Sequence, residues 1–151
     1  MGERLLKTAV LSATLGIALI AFSGMSLASD DFAGGCKRKE QAIETANRIT
    51  KETLCDCVKL EGGANMSPTI RAMVDAGINV MGHIGMTPQT ATSFGGFKVQ
   101  GGTPESARKL IEDAKALEAA GVFAMVVECV PSVVAKAMQE EVERVLQQQI
   151  S

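Results

Sequence analysis

The sequence predicts an α/β fold in which helices and strands alternate around a parallel β-sheet. Short apolar segments that end in glycine have the length and composition of buried strands, and amphipathic segments with clear start and stop residues separate them. Strands that alternate with helices pair in parallel through right-handed crossovers. The chain has 151 residues, which suits one domain but falls short of the roughly 250 residues of an eight-stranded β/α barrel.

The first strand and its flanking helices have clear sequence signals. Apolar residues recur at helical spacing across 39–53, and the short strand Cys57–Glu61 follows and ends at two glycines. The next helix is predicted to start with Ser67 as its N-cap and Pro68 in its first position, and to stop before Gly77.

The second half of the chain repeats this alternation. A strand is predicted from Ile78 to Ile84, and residues 85–102 have the glycine pairs of a hinged loop or of an ordinary surface loop. Thr103 is the predicted N-cap of a third helix that ends at Gly121. A nearly continuous apolar strand, Val122–Cys129, comes next. A last helix starts at Pro131, with an amphipathic C-terminal helix over 139–151.

The N-terminal 28 residues have the pattern of a signal or transit segment. Arg4 and Lys7 precede an apolar run, and small residues follow it up to Ala28. The run is shorter than the ~20 residues of a membrane span. A signal peptide, an organellar presequence and a segment joined by a faulty gene prediction all fit this pattern. Membrane association is expected only if the segment is retained, and residues 29–38 are predicted to be a linker.

Composition argues against nucleic-acid binding and against a structural zinc site. The net charge is −2, and the chain has neither Trp nor Tyr, so phosphate neutralisation and base stacking have little support. Four cysteines accompany a single histidine, and Cys55 and Cys57 are too close for the usual zinc spacing. We therefore expect reduced thiols, with Cys57 and Cys129 buried near strands.

Polar side chains at the carboxyl ends of the three strands form the candidate site. Lys59 and Glu61 share one face of the first strand, His83 ends the second and Glu128 ends the third. A cation and a carboxylate on one face suit an acidic substrate and a divalent metal ion, but they could also pair with each other. His83 could simply hydrogen-bond a neighbouring strand. A carboxylate at the end of a buried strand needs a partner or acts as a base, so a functional role is favoured for Glu128.

Four collinear segments resemble the ketopantoate hydroxymethyltransferase family, a group of (β/α)₈-barrel enzymes. The resemblance covers about residues 39–138, which correspond to barrel units four to six. The segments are Val58–Gly63, Val80–Gln89, Gly95–Gly101 and Glu128–Pro131.

The resemblance implies a reaction and a role for each candidate residue. The family transfers a hydroxymethyl group from 5,10-methylenetetrahydrofolate to 3-methyl-2-oxobutanoate, giving 2-dehydropantoate for pantothenate and coenzyme A biosynthesis. By this resemblance, Glu61 is a Mg²⁺ ligand, Lys59 binds the keto acid, Glu128 is the general base, and His83 lies near the substrate. The resemblance also implies a partial TIM barrel, large homo-oligomers, and a cytoplasmic or mitochondrial location.

The family pattern has further parts without a counterpart in this sequence, which leaves other functions open. Two more aspartate ligands and a substrate-binding serine are missing, as are the last two strands. We therefore expect the polypeptide alone to be inactive or poorly folded, because three strands cannot close a barrel. The alternatives are another magnesium-dependent keto-acid lyase or mutase of the same barrel class, a non-catalytic assembly partner, and an exported small protein.

Overall fold

A computed structural model describes residues 9–13, 27–28, 39–87 and 99–150. Its centre is a parallel sheet of three strands, β3 (Cys57–Glu61), β4 (Val80–Gly85) and β5 (Ala124–Glu128). Two short strands, β1 (Ala9–Ala13) and β2 (Leu27–Ala28), pair in parallel with β5 and β3, so the sheet order is β1-β5-β4-β3-β2. The prediction of an α/β fold with a parallel sheet is confirmed, and the arrangement fits a partial barrel.

Four helices accompany these strands in the described part of the chain. They are α1 (Lys39–Thr53), α2 (Ser67–Asp75), α3 (Pro104–Ala119) and α4 (Ser132–Ile150). A short 3₁₀ helix, Ala64–Met66, leads directly into α2. Helix α3 packs against α2, α4 and β4, while α1 packs against α2 and β3.

The apolar core lies between the helices and one face of the sheet. Val58, Leu60, Ile84 and Val127 contribute alternate side chains from the strands, and the buried residues of the helices complete the core. The residues between them, such as Lys59, Glu61 and His83, therefore point to the opposite face. This alternation separates the packing layer from the candidate site.

The structure corrects the predicted start of α2. Ser67 is the first residue of the helix rather than its N-cap, and Met66, already in the right-handed helical region, takes the N-cap position without a side-chain hydrogen bond. The cause is the 3₁₀ turn at Ala64–Met66, which has begun the helical path before Ser67. Thr103, in contrast, is the N-cap of α3 as predicted and forms a reciprocal capping box with Ser106.

Other boundaries differ modestly from the predictions. Strands β4 and β5 are shorter at their amino ends than the segments predicted from Ile78 and Val122. One helix, α4, includes both the predicted last helix and much of the predicted C-terminal amphipathic segment. Most of the predicted loop over 85–102 and the linker over 29–38 lie outside the described residues. Strands β1 and β2 fall within the predicted signal or transit segment, whose targeting role stays a prediction.

Candidate functional site

Strand register brings the predicted site residues to one edge of the sheet. Glu61 on β3 lies directly opposite His83 on β4, and Glu128 on β5 lies opposite Gly85 two residues further along β4. Paired residues of parallel strands point to the same face, so the three polar side chains converge. Lys59 lies on this face too, two residues before Glu61 and opposite Met81.

His83 connects the two carboxylates. Its side chain is 1% exposed, its Nε2 lies 3.0 Å from Glu128 Oε2, and its Nδ1 lies 3.5 Å from Glu61 Oε1. The first distance is a hydrogen bond, whereas the second is a close approach beyond good hydrogen-bond length. His83 thus hydrogen-bonds a residue of the neighbouring strand β5, as one of the sequence interpretations allowed, and its ring also lies close to the second candidate acidic residue, Glu61.

Electrostatics keep the His83 ring neutral near neutral pH. Burial lowers the pKa of His83 below its usual 6.5 and the Lys59 charge acts in the same direction, while Glu61 and Glu128 oppose them. A neutral ring that donates from Nε2–H to Glu128 has a lone pair on Nδ1 facing Glu61. Within the described residues, His83 Nδ1 and Glu61 Oε2 are buried without a hydrogen-bond partner.

Backbone contacts hold Glu128 at the end of its strand. Its carbonyl oxygen accepts a hydrogen bond from the Met86 amide at 2.9 Å. Gly85 packs so closely on this oxygen that a Cβ there would lie well inside van der Waals contact, and its φ is 93°. The next residue, Cys129, has a positive φ of 53° and accepts a hydrogen bond from the Gln100 amide. Glu128 is thus fixed from both its neighbours in the sheet and the following turn.

One residue next to the site was missed by the sequence analysis. Asp113 on α3 is buried and accepts a hydrogen bond from the Ala64 amide, three residues after Glu61. The sequence does carry a signal for it, since Asp113 lies between Leu110 and Ala114 on the apolar stripe of the helix. A carboxylate on such a stripe must have a partner in the folded protein.

The described residues also bear on the predictions about metal binding, membrane association and the cysteines. Within the part of the chain that the structure describes, no group of three or more His, Cys, Asp and Glu side chains is arranged to hold a metal ion. None of the helices there combines the length and the apolar character of a membrane span. Cys55 and Cys57 are buried free thiols, as predicted for Cys57, whereas Cys129 is only half-buried.

Comparison with known proteins identifies the family. The sequence model of the family described as ketopantoate hydroxymethyltransferase matches residues 27–145. The chain belongs to this family. The match includes Lys59, Glu61, His83 and Glu128, and it extends beyond the region 39–138 that carried the resemblance.

Curated ketopantoate hydroxymethyltransferase relatives agree with this assignment. The chain is 60% identical over 100 residues to 3-methyl-2-oxobutanoate hydroxymethyltransferase of Heliobacterium modesticaldum, covering 66% of this chain and 36% of the relative. It is 53% identical over 104 residues to the enzyme of that name from Syntrophomonas wolfei, covering 69% and 38%. The chain thus matches little more than a third of the length of these relatives.

Proposed function

We propose that this chain serves the reaction for which its relatives are named, the hydroxymethylation of 3-methyl-2-oxobutanoate. The observation that carries the proposal is the contact of one buried imidazole, His83, with Glu61 and Glu128 at the ends of three parallel strands. The one-carbon donor is 5,10-methylenetetrahydrofolate and the product is 2-dehydropantoate. The cytoplasmic or mitochondrial location and the homo-oligomeric state belong to the same proposal.

Glu128 is the proposed general base. Its side chain is one-third exposed and therefore accessible to a substrate, and His83 holds one of its carboxylate oxygens. The second oxygen would accept the C3 proton of the keto acid, which leaves an enolate. The enolate carbon then bonds to the methylene carbon of the folate as one of its two carbon–nitrogen bonds breaks. Water displaces the second nitrogen and supplies the hydroxyl group, and the proton from C3 and one from water end on the two nitrogens of the departing tetrahydrofolate.

Lys59 and His83 have supporting roles in this proposal, at the negative charge of the substrate and at the Glu128 carboxylate. The ammonium group of Lys59 lies on the same face as the base and would bind the substrate carboxylate, offsetting negative charge in the enolate. Neutral His83 would hold Glu128 in a fixed orientation by donating a hydrogen bond to it. Burial of His83 supports this role, because a buried imidazole that stays neutral remains a single-proton donor in a fixed direction.

Glu61 fits a role as a ligand of Mg²⁺. Its Oε2 is buried without a hydrogen-bond partner in the described part of the chain, and a carboxylate oxygen is a ligand that Mg²⁺ prefers. When bound, Mg²⁺ would polarise the keto-acid carbonyl and make the C3 proton more acidic. Glu61 would be one ligand of the ion.

Deuterium exchange tests the proposed proton abstraction without the folate. The full 151-residue chain is mixed with 3-methyl-2-oxobutanoate and MgCl₂ in D₂O, and the methyl doublet of the substrate is followed by NMR as C3 gains deuterium. The missing metal ligands and strands are expected to prevent turnover to product, but proton abstraction needs only the site residues of this chain. We therefore expect catalysed exchange that falls by about 10²–10⁴-fold in Glu128→Gln. Glu112→Gln, which changes an exposed carboxylate on α3, is the matched control. Exchange at the uncatalysed rate with the unmodified chain would contradict the proposal.

A further inference from the structure

The turn that follows Glu61 is held by a carboxylate from another part of the fold. Asp113 on α3 is 8% exposed, and its Oδ1 accepts a hydrogen bond from the Ala64 amide at 2.8 Å across 49 positions of sequence. Its Oδ2 pairs with Lys109 at 2.9 Å. The Lys109 side chain is largely exposed, so this ion pair contributes little and the buried amide bond is the stronger constraint.

The backbone at Gly63 is shaped to this carboxylate. A Cβ at Gly63 would lie well inside van der Waals contact with the carboxylate carbon and both oxygens of Asp113. The φ of Gly63 is −98°, so the lack of space, rather than a left-handed backbone, requires glycine here. Asp113 and Gly63 therefore fit each other closely, and the carboxylate satisfies the first amide of the 3₁₀ helix, which has no side-chain cap of its own.

A second contact fixes the same turn from the sheet. The Gly62 amide donates to the His83 carbonyl oxygen at 3.1 Å. The residues immediately after Glu61 are thus tied to β4 through Gly62 and to α3 through Ala64. Because these two anchors set the direction in which the chain leaves β3, they also limit where the Glu61 carboxylate can lie relative to the His83 ring.

We propose that Asp113 is a positioning residue of the site, which places the Glu61 carboxylate against His83 by holding the Gly63–Ala64 turn. It acts through the backbone, and the hydrogen bonds and ion pair described for it involve Ala64 and Lys109 rather than the four proposed site residues. The inference rests on the proposed role of Glu61 for its functional meaning. Its structural content, a link from Asp113 to the Glu61–His83 contact, can be tested without any ligand.

The test uses NMR of the full chain, in which His83 is the sole histidine and gives a single set of imidazole signals. Amide exchange at Ala64 and the His83 ring shifts at one fixed pH are compared in the unmodified chain, Asp113→Ala and Glu112→Ala. We expect Asp113→Ala to speed Ala64 exchange about ten- to hundredfold, the factor that a hydrogen bond to a charged acceptor is typically worth, and to move the His83 ring signals. The exposed Glu112→Ala control should change neither.

The outcomes separate positioning from simple stabilisation. Amide exchange at Ala46 in the core of α1 monitors global opening and should stay slow. Faster Ala64 exchange with unchanged His83 signals would overturn the proposal, because Asp113 would then hold the turn without affecting the site. If Asp113→Ala does not fold, Asp113→Asn replaces it, because the Asn side chain keeps a weaker hydrogen-bond acceptor. This variant should give smaller changes in Ala64 exchange and in the His83 signals. Unchanged His83 signals in Asp113→Asn would also overturn the proposal.

The same experiment distinguishes this inference from the proposed function. A response of the His83 signals to Asp113→Ala supports the positioning role even if the chain catalyses no deuterium exchange. Conversely, the chain could catalyse deuterium exchange of the substrate while the His83 signals do not change in Asp113→Ala. That result would support the proposed function and overturn the positioning role of Asp113.

Discussion

His83 Nε2 lies 3.0 Å from Glu128 Oε2, and this hydrogen bond joins the ends of two neighbouring strands. It is formed almost without solvent access on the histidine side, since the ring is buried. A hydrogen bond to a charged acceptor in such surroundings stabilises the fold and orients the carboxylate at the same time. Removal of either partner should therefore be measurable in stability as well as in activity.

We expect His83→Ala to lower the free energy of unfolding by about 2–4 kcal/mol, through a cavity and the loss of the partner of Glu128. His83→Gln, whose amide can still donate to the carboxylate, should lose less. Urea unfolding of both variants measures the difference. Equal losses would mean that ring packing, rather than the hydrogen bond, is the larger contribution.

Acidification should destabilise the chain through His83. Burial lowers the pKa of the folded ring, whereas the unfolded residue titrates near its usual 6.5. Below about pH 6.5 the unfolded chain binds a proton that the folded chain does not. The free energy of unfolding therefore decreases as the pH is lowered, by at most about 1.4 kcal/mol per pH unit. The loss stops at the folded pKa, and above pH 6.5 this contribution is fully present. Urea unfolding from pH 5 to 8 should show a smaller slope in His83→Gln, and an identical slope would contradict the assignment.

Gly85→Ala should be more destabilising than Gly77→Ala. Both glycines have positive φ, 93° and 86°, but a Cβ at Gly85 would collide with the Glu128 carbonyl oxygen, whereas a Cβ at Gly77 would meet nothing within 4 Å. The backbone strain is shared, so the difference isolates the collision, at about 1–3 kcal/mol. Thermal or urea unfolding measures it, and equal losses would show that the strand end yields easily.

Cys57 should resist alkylation in the folded chain. Burial, with the charges of Cys55 and Asp56, raises the pKa of its thiol to about 11, so the reactive thiolate is scarce at pH 8. Iodoacetamide treatment followed by peptide mass spectrometry should label Cys57 only after urea is added, and half-buried Cys129 is the internal comparison. Rapid labelling of Cys57 without urea would show that β3 opens readily.

The sequence was sufficient to locate the strand ends but not every helix start. Lys59, Glu61, His83 and Glu128 converge as predicted because alternation along a strand and parallel pairing are local and regular. The cap of α3 was predicted because Thr103 acts on amides three residues away.

The start of α2 was missed because its cause is not local. The amide that opens the 3₁₀ turn is satisfied by Asp113, which is 49 positions away in sequence, and no short pattern around Ser67 reports that contact. The contact of His83 with both carboxylates was unforeseen for a similar reason, since it depends on the register of three strands rather than on any one of them.

The pairing of Glu61 with His83 has a consequence for how sequence change is tolerated in β4. A shift in the register of this strand by a single residue would point the His83 side chain into the apolar core under the helices. The same shift would bring Ile84 or Gly82 to the polar face. A single-residue insertion or deletion inside β4 would therefore prevent folding, whatever its effect on the reaction. Apolar packing on one face of the sheet thus fixes the strand register, and the register determines which side chains meet on the other face.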